Sequence, residues 1–214
     1  MAIDLKEEVK ELLRPAKKLI KRMLNAKRNK KCVQACMEKD DVKIELGAGP
    51  FRKSGWISLD LSGADINIDL TKSVLPFPDN SVDCFYSSHV FEHFSYPEPM
   101  LSILKECYRC LKNGGTFEIS VPNAAMYVDA YFIGEYPKGT QSDPHLPAFH
   151  HNSPIDIINY TAYMAGEHKH MFDIQGLLAI LKEAGFKTPV RREYNPSIDL
   201  EVRQWESIYA KAYK

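Results

Sequence analysis

Between Val42 and Val121 apolar and polar positions alternate in short runs: "VKIEL" (42–46), "WISLDL" (56–61), "INIDL" (66–70), "VDCFYSS" (82–88) and "TFEISV" (116–121). Each run is rich in β-branched or aromatic residues and closes on turn-forming ones, which predicts strands. Over 97–112, "PEPMLSILKECYRCLK", the apolar spacing changes to three and four residues, with an early proline and Asn113-Gly114-Gly115 as start and stop signals of a helix. "DIQGLLAILKEA" (173–184), stopped by Gly185, predicts a further helix, and "TPVRREY" and "WESIYAKAY" predict two closing strands. Strands alternating with helices predict an α/β fold with a mostly parallel sheet covered on both faces, binding ligands at the carboxyl ends of its strands.

Two segments depart from this rhythm. The leader places Leu5, Val9, Leu12, Leu13, Ala16, Ile20, Met23 and Leu24 at helical intervals, one apolar face that Pro15 is expected to kink or split. The boundary is placed at about residue 40, with a helical leader over 1–40 and one domain over 41–214. Residues 123–171 are rich in proline, glycine and histidine and too long for a plain connection, which predicts a lid-like, substrate-facing insertion.

Composition narrows the partners. A chain of 214 residues with 44% hydrophobic and 26% charged residues suits one globular domain with an appendage. The zero net charge conceals a basic leader, in which residues 1–31 carry 11 Lys/Arg against 4 Asp/Glu, followed by an acidic body. Such a helix packs on its own domain or on a second copy in a homodimer, or makes peripheral contact with an anionic membrane; the absence of interfacial aromatic residues favours packing. An acidic body with no aromatic-basic groove disfavours nucleic acid as a partner. No apolar run reaches the length of a membrane span, and the N-terminal stretch is charged where a signal peptide is apolar, so a cytoplasmic location is expected. The five cysteines lack metal-finger spacing and are read as reduced thiols, Cys107 and Cys110 being ordinary helix-face residues.

The chemistry starts at "IELGAGPFRKSGWISLDL" (44–61). Gly47 and Gly49 let the backbone approach a ligand directly after a strand, and Asp60, closing the next strand, can accept hydrogen bonds from ribose hydroxyls. Only six residues, Pro50 to Gly55, separate Gly49 from Trp56, and Phe51 stands where a third glycine is usual, so the first helix is expected to be very short or lost. That spacing also argues against a dinucleotide dehydrogenase, whose ribose-binding acid follows by about 20 residues. The basic leader helix is expected to cover the sheet face left bare.

"IELGAG", "WISLDL", "IDLTKSVLPFPDNSVDCFYSSHVFEHF" and "LKNGGTFEISVPN" together resemble the successive motifs of class I S-adenosylmethionine-dependent methyltransferases, in particular the type 11 group. The resemblance implies a Rossmann-like, seven-stranded, mostly parallel sheet with an antiparallel last strand, and S-adenosylmethionine as cofactor. It implies that Glu45 orients the methionine part, that Gly47 and Gly49 form the turn against the cofactor, and that Asp60 takes the ribose hydroxyls with Leu61 beside the adenine. Asp69 would read the adenine amino group with Leu70 beside it, and Ser88 and His89 would stand by the transferable methyl group. The implied activity is methyl transfer to oxygen or nitrogen of a small-molecule or sugar-like acceptor, the rivals being a cofactor-binding regulatory protein without turnover and an RNA methyltransferase. His89 and His168 are the named candidates for a general base, with His150, His151 and His170 able to reach the site from the insertion. His89, Glu92 and His93 fall at i, i+3 and i+4. Some quinone-pathway methyltransferases are similar here in holding a divalent ion with acidic residues and a histidine. His89 stands where an acid would be expected, and a site needs three or four convergent ligands, so no metal ligand is assigned.

Overall fold

The computed structural model describes residues 5–72, 74–135 and 153–214, and within its first helix the side chains of residues 5–11, 18, 21 and 22 are not described. His150 and His151 lie outside the described residues, as do the side chains of Leu5 and Val9. The strands are β1 (Lys43–Leu46), β2 (Ile57–Asp60), β3 (Ile66–Asn67), β4 (Val82–Ser88), β5 (Leu111–Pro122), β6 (Lys187–Arg192) and β7 (Ser207–Tyr213). They form one sheet in the order β3-β2-β1-β4-β5-β7-β6, in which β7 runs antiparallel to both of its neighbours and the other pairings are parallel. Ile44, Leu46, Leu59, Phe85, Phe117 and Val121 are fully buried, because a parallel sheet covered on both faces turns both sides of its central strands inward.

Helix α2 (Met100–Cys110) buries Met100, Leu101, Ile103, Leu104, Cys107 and Cys110, so the three-and-four spacing marks a helix face that packs on the sheet. The same burial pushes both thiols up, Cys110 to about 11, and all five cysteines are free. No helix forms between β1 and β2, as the six-residue connection requires. The third strand is shorter than its sequence pattern suggests. Pairing ends after Asn67 apart from the bond from Ile68 N to Asp60 O, and Asp69 then turns the chain by accepting from Thr71 N and Thr71 Oγ1.

Helix α1 (Leu5–Met37) runs past the basic stretch, and Pro15 lies inside it without ending it. Among its described side chains, only those of its C-terminal part join the fold. Cys36 is buried, with Cys32, Val33 and Met37 packed against the core, while Leu12, Leu13, Leu19, Ile20, Met23 and Leu24 are exposed. The expectation that the leader covers a bare face therefore holds for its last turns alone. These turns close the sheet edge: Asn29 Nδ2 donates to Asn67 O at 2.8 Å and Asn29 Oδ1 accepts from Asn67 N at 3.1 Å. A side-chain amide thus supplies the pairing that a further strand would give, which blunts the edge against a foreign strand. Asp65 braces the same corner. Burial alone would raise its pKa, but hydrogen bonds from Ser58 N and Ser58 Oγ and the charges of Arg52 and Arg28 outweigh that and hold it below the usual carboxylate range.

The described part of the insertion carries helices and ends in an irregular stretch over 167–171. Helices α3 (Ala124–Ile133) and α4 (Pro154–Tyr163) pack against each other around Tyr127, Ala130, Ile157 and Tyr160, with Met126 and Trp205 at the margin. Pro154 at the first turn and the reciprocal Ser153–Asp156 capping box start α4. Helix α5 (Ile174–Glu183) starts at Asp173, whose side chain accepts from Gly176 N at 2.6 Å. Among the described residues no helix is long and apolar enough to cross a membrane.

If Asn29 holds the sheet edge, Asn29→Ala leaves two backbone groups of Asn67 unpaired and should cost about 1–3 kcal/mol in denaturant unfolding. A loss within error of zero would show that the end of α1 does not brace the sheet.

Candidate functional site

Strands β1 and β4 are adjacent, yet the chain leaves β1 towards β2 and leaves β4 towards β5, so a crevice opens where the order reverses. The residue just after each strand lies in the left-handed region, Gly47 at φ 61° and His89 at φ 52°. At Gly47 any Cβ would overlap the side chain of Val90, so the first turn and the end of β4 touch only because position 47 has no side chain. At His89 a non-glycine residue adopts that conformation, which marks a constrained position.

Two cavities open there. The outer cleft, of about 260 Å³, is lined by Gly47, Asp60, Leu61, Ile68, Asp69, Leu70, Thr71, His89, Val90, His93 and Phe94. That volume falls just below the usual range of small-molecule sites, about 300–1,000 Å³. Among the described residues its polar side chains are two carboxylates, one hydroxyl and two imidazoles, with no lysine or arginine. Asp60 accepts from Gly49 N at 2.8 Å through Oδ2 and from Leu61 N at 2.6 Å through Oδ1, tying the glycine turn to the end of β2. Asp69 is held below the usual carboxylate range chiefly by hydrogen bonds from Thr71.

The inner cavity, about 30 Å³, lies behind it and is lined by His89, Glu92, His93, Pro122, Tyr127, Tyr160, Thr161, Met164, His168, Arg203 and Glu206. His89 and His93 line both. Ser207 Oγ donates to Arg203 O at 2.6 Å, so the 2.7 Å contact between His89 Nε2 and Ser207 Oγ places the imidazole hydrogen on Nε2. The Nδ1 lone pair then faces Glu92 Oε1 at 3.6 Å and Glu206 Oε1 at 3.8 Å. Burial, with Arg203, His168 and His93 adding to it, holds the His89 pKa well below its ordinary value. Burial also pushes Glu92 up to about 8. Glu206 accepts from Tyr127 Oη and from Arg203 Nη1, each at 2.9 Å.

Of the residues singled out from sequence, Gly47, Asp60, Leu61, Asp69, Leu70 and His89 meet in the outer cleft, and Gly49 is joined to it through Asp60. His168 lies in the inner cavity. Glu45 and Ser88 line neither. Glu45 is buried against Lys53, whose ammonium also stands 4.0 Å from the Tyr86 ring centroid, and Glu45 Oε2 has no hydrogen-bond partner. Ser88 Oγ accepts from Ser120 Oγ at 3.0 Å across the β4–β5 pair. His170 packs its ring near Phe172 and Tyr96 instead of entering a cavity.

Tyr127, Tyr160, Arg203, Glu206 and Ser207 went unnoticed in the sequence. Trp205 and Glu206 read there as the start of the last strand, whereas the structure ends a 3₁₀ turn at Glu206 and begins β7 at Ser207. A charged residue at the head of a predicted strand beside a buried sheet end is the one signal that pointed to Glu206.

Residues 45–119 match a family model described as a methyltransferase domain. Two solved structures align along nearly the whole chain. A SAM-dependent methyltransferase from Archaeoglobus fulgidus is 16% identical with a TM-score of 0.50, covering 99% of this chain and 100% of that one. A SAM-dependent methyltransferase from Thermotoga maritima, described as a possible histamine N-methyltransferase, is 13% identical with a TM-score of 0.50, covering 96% and 99%. At these identities the likeness is one of fold. No curated protein matches the sequence.

Gly47→Ala should destabilise the fold by about 1–3 kcal/mol through overpacking and a further 1–2 through its positive φ. Adding Val90→Ala should recover the first part. Equal stabilities for the single and double variants would refute the close approach.

Proposed function

From the premise that the chain carries a class I S-adenosylmethionine-dependent methyltransferase domain, we propose that it transfers the methyl group of S-adenosylmethionine to oxygen or nitrogen of a small-molecule or sugar-like acceptor. The observation that carries this reading is the outer cleft, which offers carboxylates and open backbone at the ends of β1, β2 and β3 and, among the described residues, no cationic side chain in its lining. A dinucleotide would need donors for its pyrophosphate, whereas a sulfonium nucleoside needs acceptors for its hydroxyls and amine and negative charge near its cation. Asp60 accepts from the ribose hydroxyls with Leu61 beside the adenine, and Asp69 accepts from the adenine amine with Leu70 beside it. Gly47 and Gly49 keep the backbone free of side chains on the near wall. Glu45, which lines neither cavity, sets the turn through Lys53, and it meets the methionine ammonium only where that ammonium replaces the Lys53 one.

When bound, S-adenosylmethionine supplies a methyl carbon already activated by its positive sulfur. The chain's task is then to align the acceptor and take its proton. The acceptor's reactive group enters at His89, where the inner cavity, with room for about two waters, presents Tyr127, Tyr160 and Met164 as apolar wall and Arg203 and Glu206 as polar wall. His89 stands between the two cavities with its Nδ1 lone pair turned inward, so it accepts the proton that the acceptor's hydroxyl or amine gives up as the new bond to carbon forms. Ser88, at the end of β4, supports His89 through the Ser120 contact and does not itself touch the reactants.

Calorimetric titration should show S-adenosylmethionine binding that weakens about 10- to 100-fold in Asp60→Ala, the loss expected for hydrogen bonds to a charged group, and less in Asp60→Asn. An acceptor screen read through release of the demethylated cofactor should then find turnover that falls about 10²- to 10⁴-fold in His89→Ala with cofactor affinity kept. No binding by the native chain, or unchanged binding in Asp60→Ala, would remove the cofactor assignment. Full turnover in His89→Ala would remove the base.

A further inference from the structure

The backbone turns His93 and His168 the same way. His93 Nδ1 lies 3.1 Å from the carbonyl oxygen of Glu167, and His168 Nδ1 lies 2.8 Å from that of Thr161. A carbonyl only accepts, so each Nδ1 carries a hydrogen and each neutral ring has its lone pair on Nε2. The two rings meet edge to face with centroids 5.0 Å apart, and His93 Nε2 lies 3.9 Å from Glu92 Oε1. Glu92 is 2% exposed, and its Oε2 has no hydrogen-bond partner. One ligand atom from each of Glu92, His93 and His168 lies within 4.8 Å of the other two.

We propose that Glu92, His93 and His168 form a binding site for one divalent transition-metal ion of the zinc class. The 3.9 Å between His93 Nε2 and Glu92 Oε1 is too long for a hydrogen bond, whereas donors about 2.0–2.2 Å from a shared ion stand about 3–4 Å from one another, a spacing the cluster, all within 4.8 Å, reaches by small side-chain shifts. Two imidazoles with one carboxylate select zinc or its transition-metal neighbours over magnesium or calcium, which take all-oxygen shells. Both imidazoles already make the outer contact that fixes a metal-ligating tautomer, an Nδ1 hydrogen given to a backbone carbonyl. The ion would also compensate a buried carboxyl with an unpartnered oxygen, an arrangement that is otherwise costly.

The fold builds the site from two distant segments. Glu92 O accepts from Lys169 N at 2.7 Å and from His170 N at 3.1 Å, which locks the chain beside His168 onto the turn that carries Glu92 and His93. His168 belongs to the insertion and lies outside the stretch matched by the methyltransferase domain, so the third ligand is a feature of this chain beyond that domain. Three protein ligands leave a coordination position for an exogenous donor, and the inner cavity, which all three residues line, is where that donor would come from. His93 also lines the outer cleft, which gives the ion a path in. The assignment stands apart from the cofactor reading, because none of its geometry involves the residues given to S-adenosylmethionine.

The test uses the full chain stripped by a chelator, dialysed, and titrated with zinc against a chromophoric competitor, with bound metal counted by mass spectrometry. The native chain should bind one equivalent with a nitrogen- and oxygen-only shell by X-ray absorption. His168→Ala, His93→Ala and Glu92→Gln should each weaken binding about a hundredfold or more, since loss of an outer partner alone costs about 10- to 100-fold. His170→Ala, outside the cluster, should bind as the native chain does. Should His168→Ala fail to fold, Glu92→Gln decides the matter, because it keeps the size of the side chain and removes its charge. Absence of a stoichiometric site in the native chain, native affinity in Glu92→Gln, or sulfur in the shell would overturn the proposal. Calorimetry with S-adenosylmethionine on stripped and loaded protein separates this outcome from failure of the cofactor reading.

Discussion

Everything in the site follows from two left-handed residues set side by side at the reversal of strand order. Gly47 ends β1 and His89 ends β4, and the absent side chain at position 47 is what lets Val90 close against the turn. One residue keeps the backbone bare and the other turns an imidazole inward. The outer cleft and the inner cavity are therefore the two sides of a single junction, and His89 with His93 forms the wall between them.

The surrounding structure keeps that junction in register. Asp60 bonds both Gly49 N and Leu61 N, so the residue we propose to meet the ribose also fixes the loop above it. On the far flank, Arg192 grips Asp199 through two nitrogens, at 2.6 and 2.8 Å, and Asp199 accepts from Tyr86 Oη, which joins β4 to the segment between β6 and β7. The desolvation cost of this buried charge is offset because each carboxylate oxygen is paired. Glu92 is the contrast, a buried carboxyl with one oxygen unpartnered, and such groups mark sites more often than scaffolds.

Much of the fold was legible in the sequence because parallel strands and packing helices write their burial into period two and period three-to-four. The short link from Gly49 to Trp56 announced the missing helix, and Gly47, Asp60 and Asp69 announced the cleft because turn residues at strand ends carry position as well as chemistry. What was not legible depended on contacts between distant segments. β3 stops at two residues because Asp69 turns the chain through Thr71, and its edge is taken up by Asn29, from a helix 38 positions earlier. Glu206 and Arg203 entered the inner cavity from a turn whose sequence looks like a strand. His168 reached Glu92 only through backbone bonds from the insertion, so no spacing rule could have grouped them. The leader's amphipathic pattern was read correctly as a helix, but its pattern could not say that most of its apolar face would stand exposed.

The account rests on a sulfonium nucleoside lying across the ends of β1, β2 and β3, held by carboxylates. A crystal structure of the full chain with S-adenosylhomocysteine tests this most directly. The account predicts the ribose hydroxyls within hydrogen-bond distance of Asp60, the adenine between Leu61 and Leu70 with its amine at Asp69, and the thioether sulfur facing His89. Ligand bound elsewhere on the chain, or in this cleft with its ribose turned away from Asp60, would contradict it.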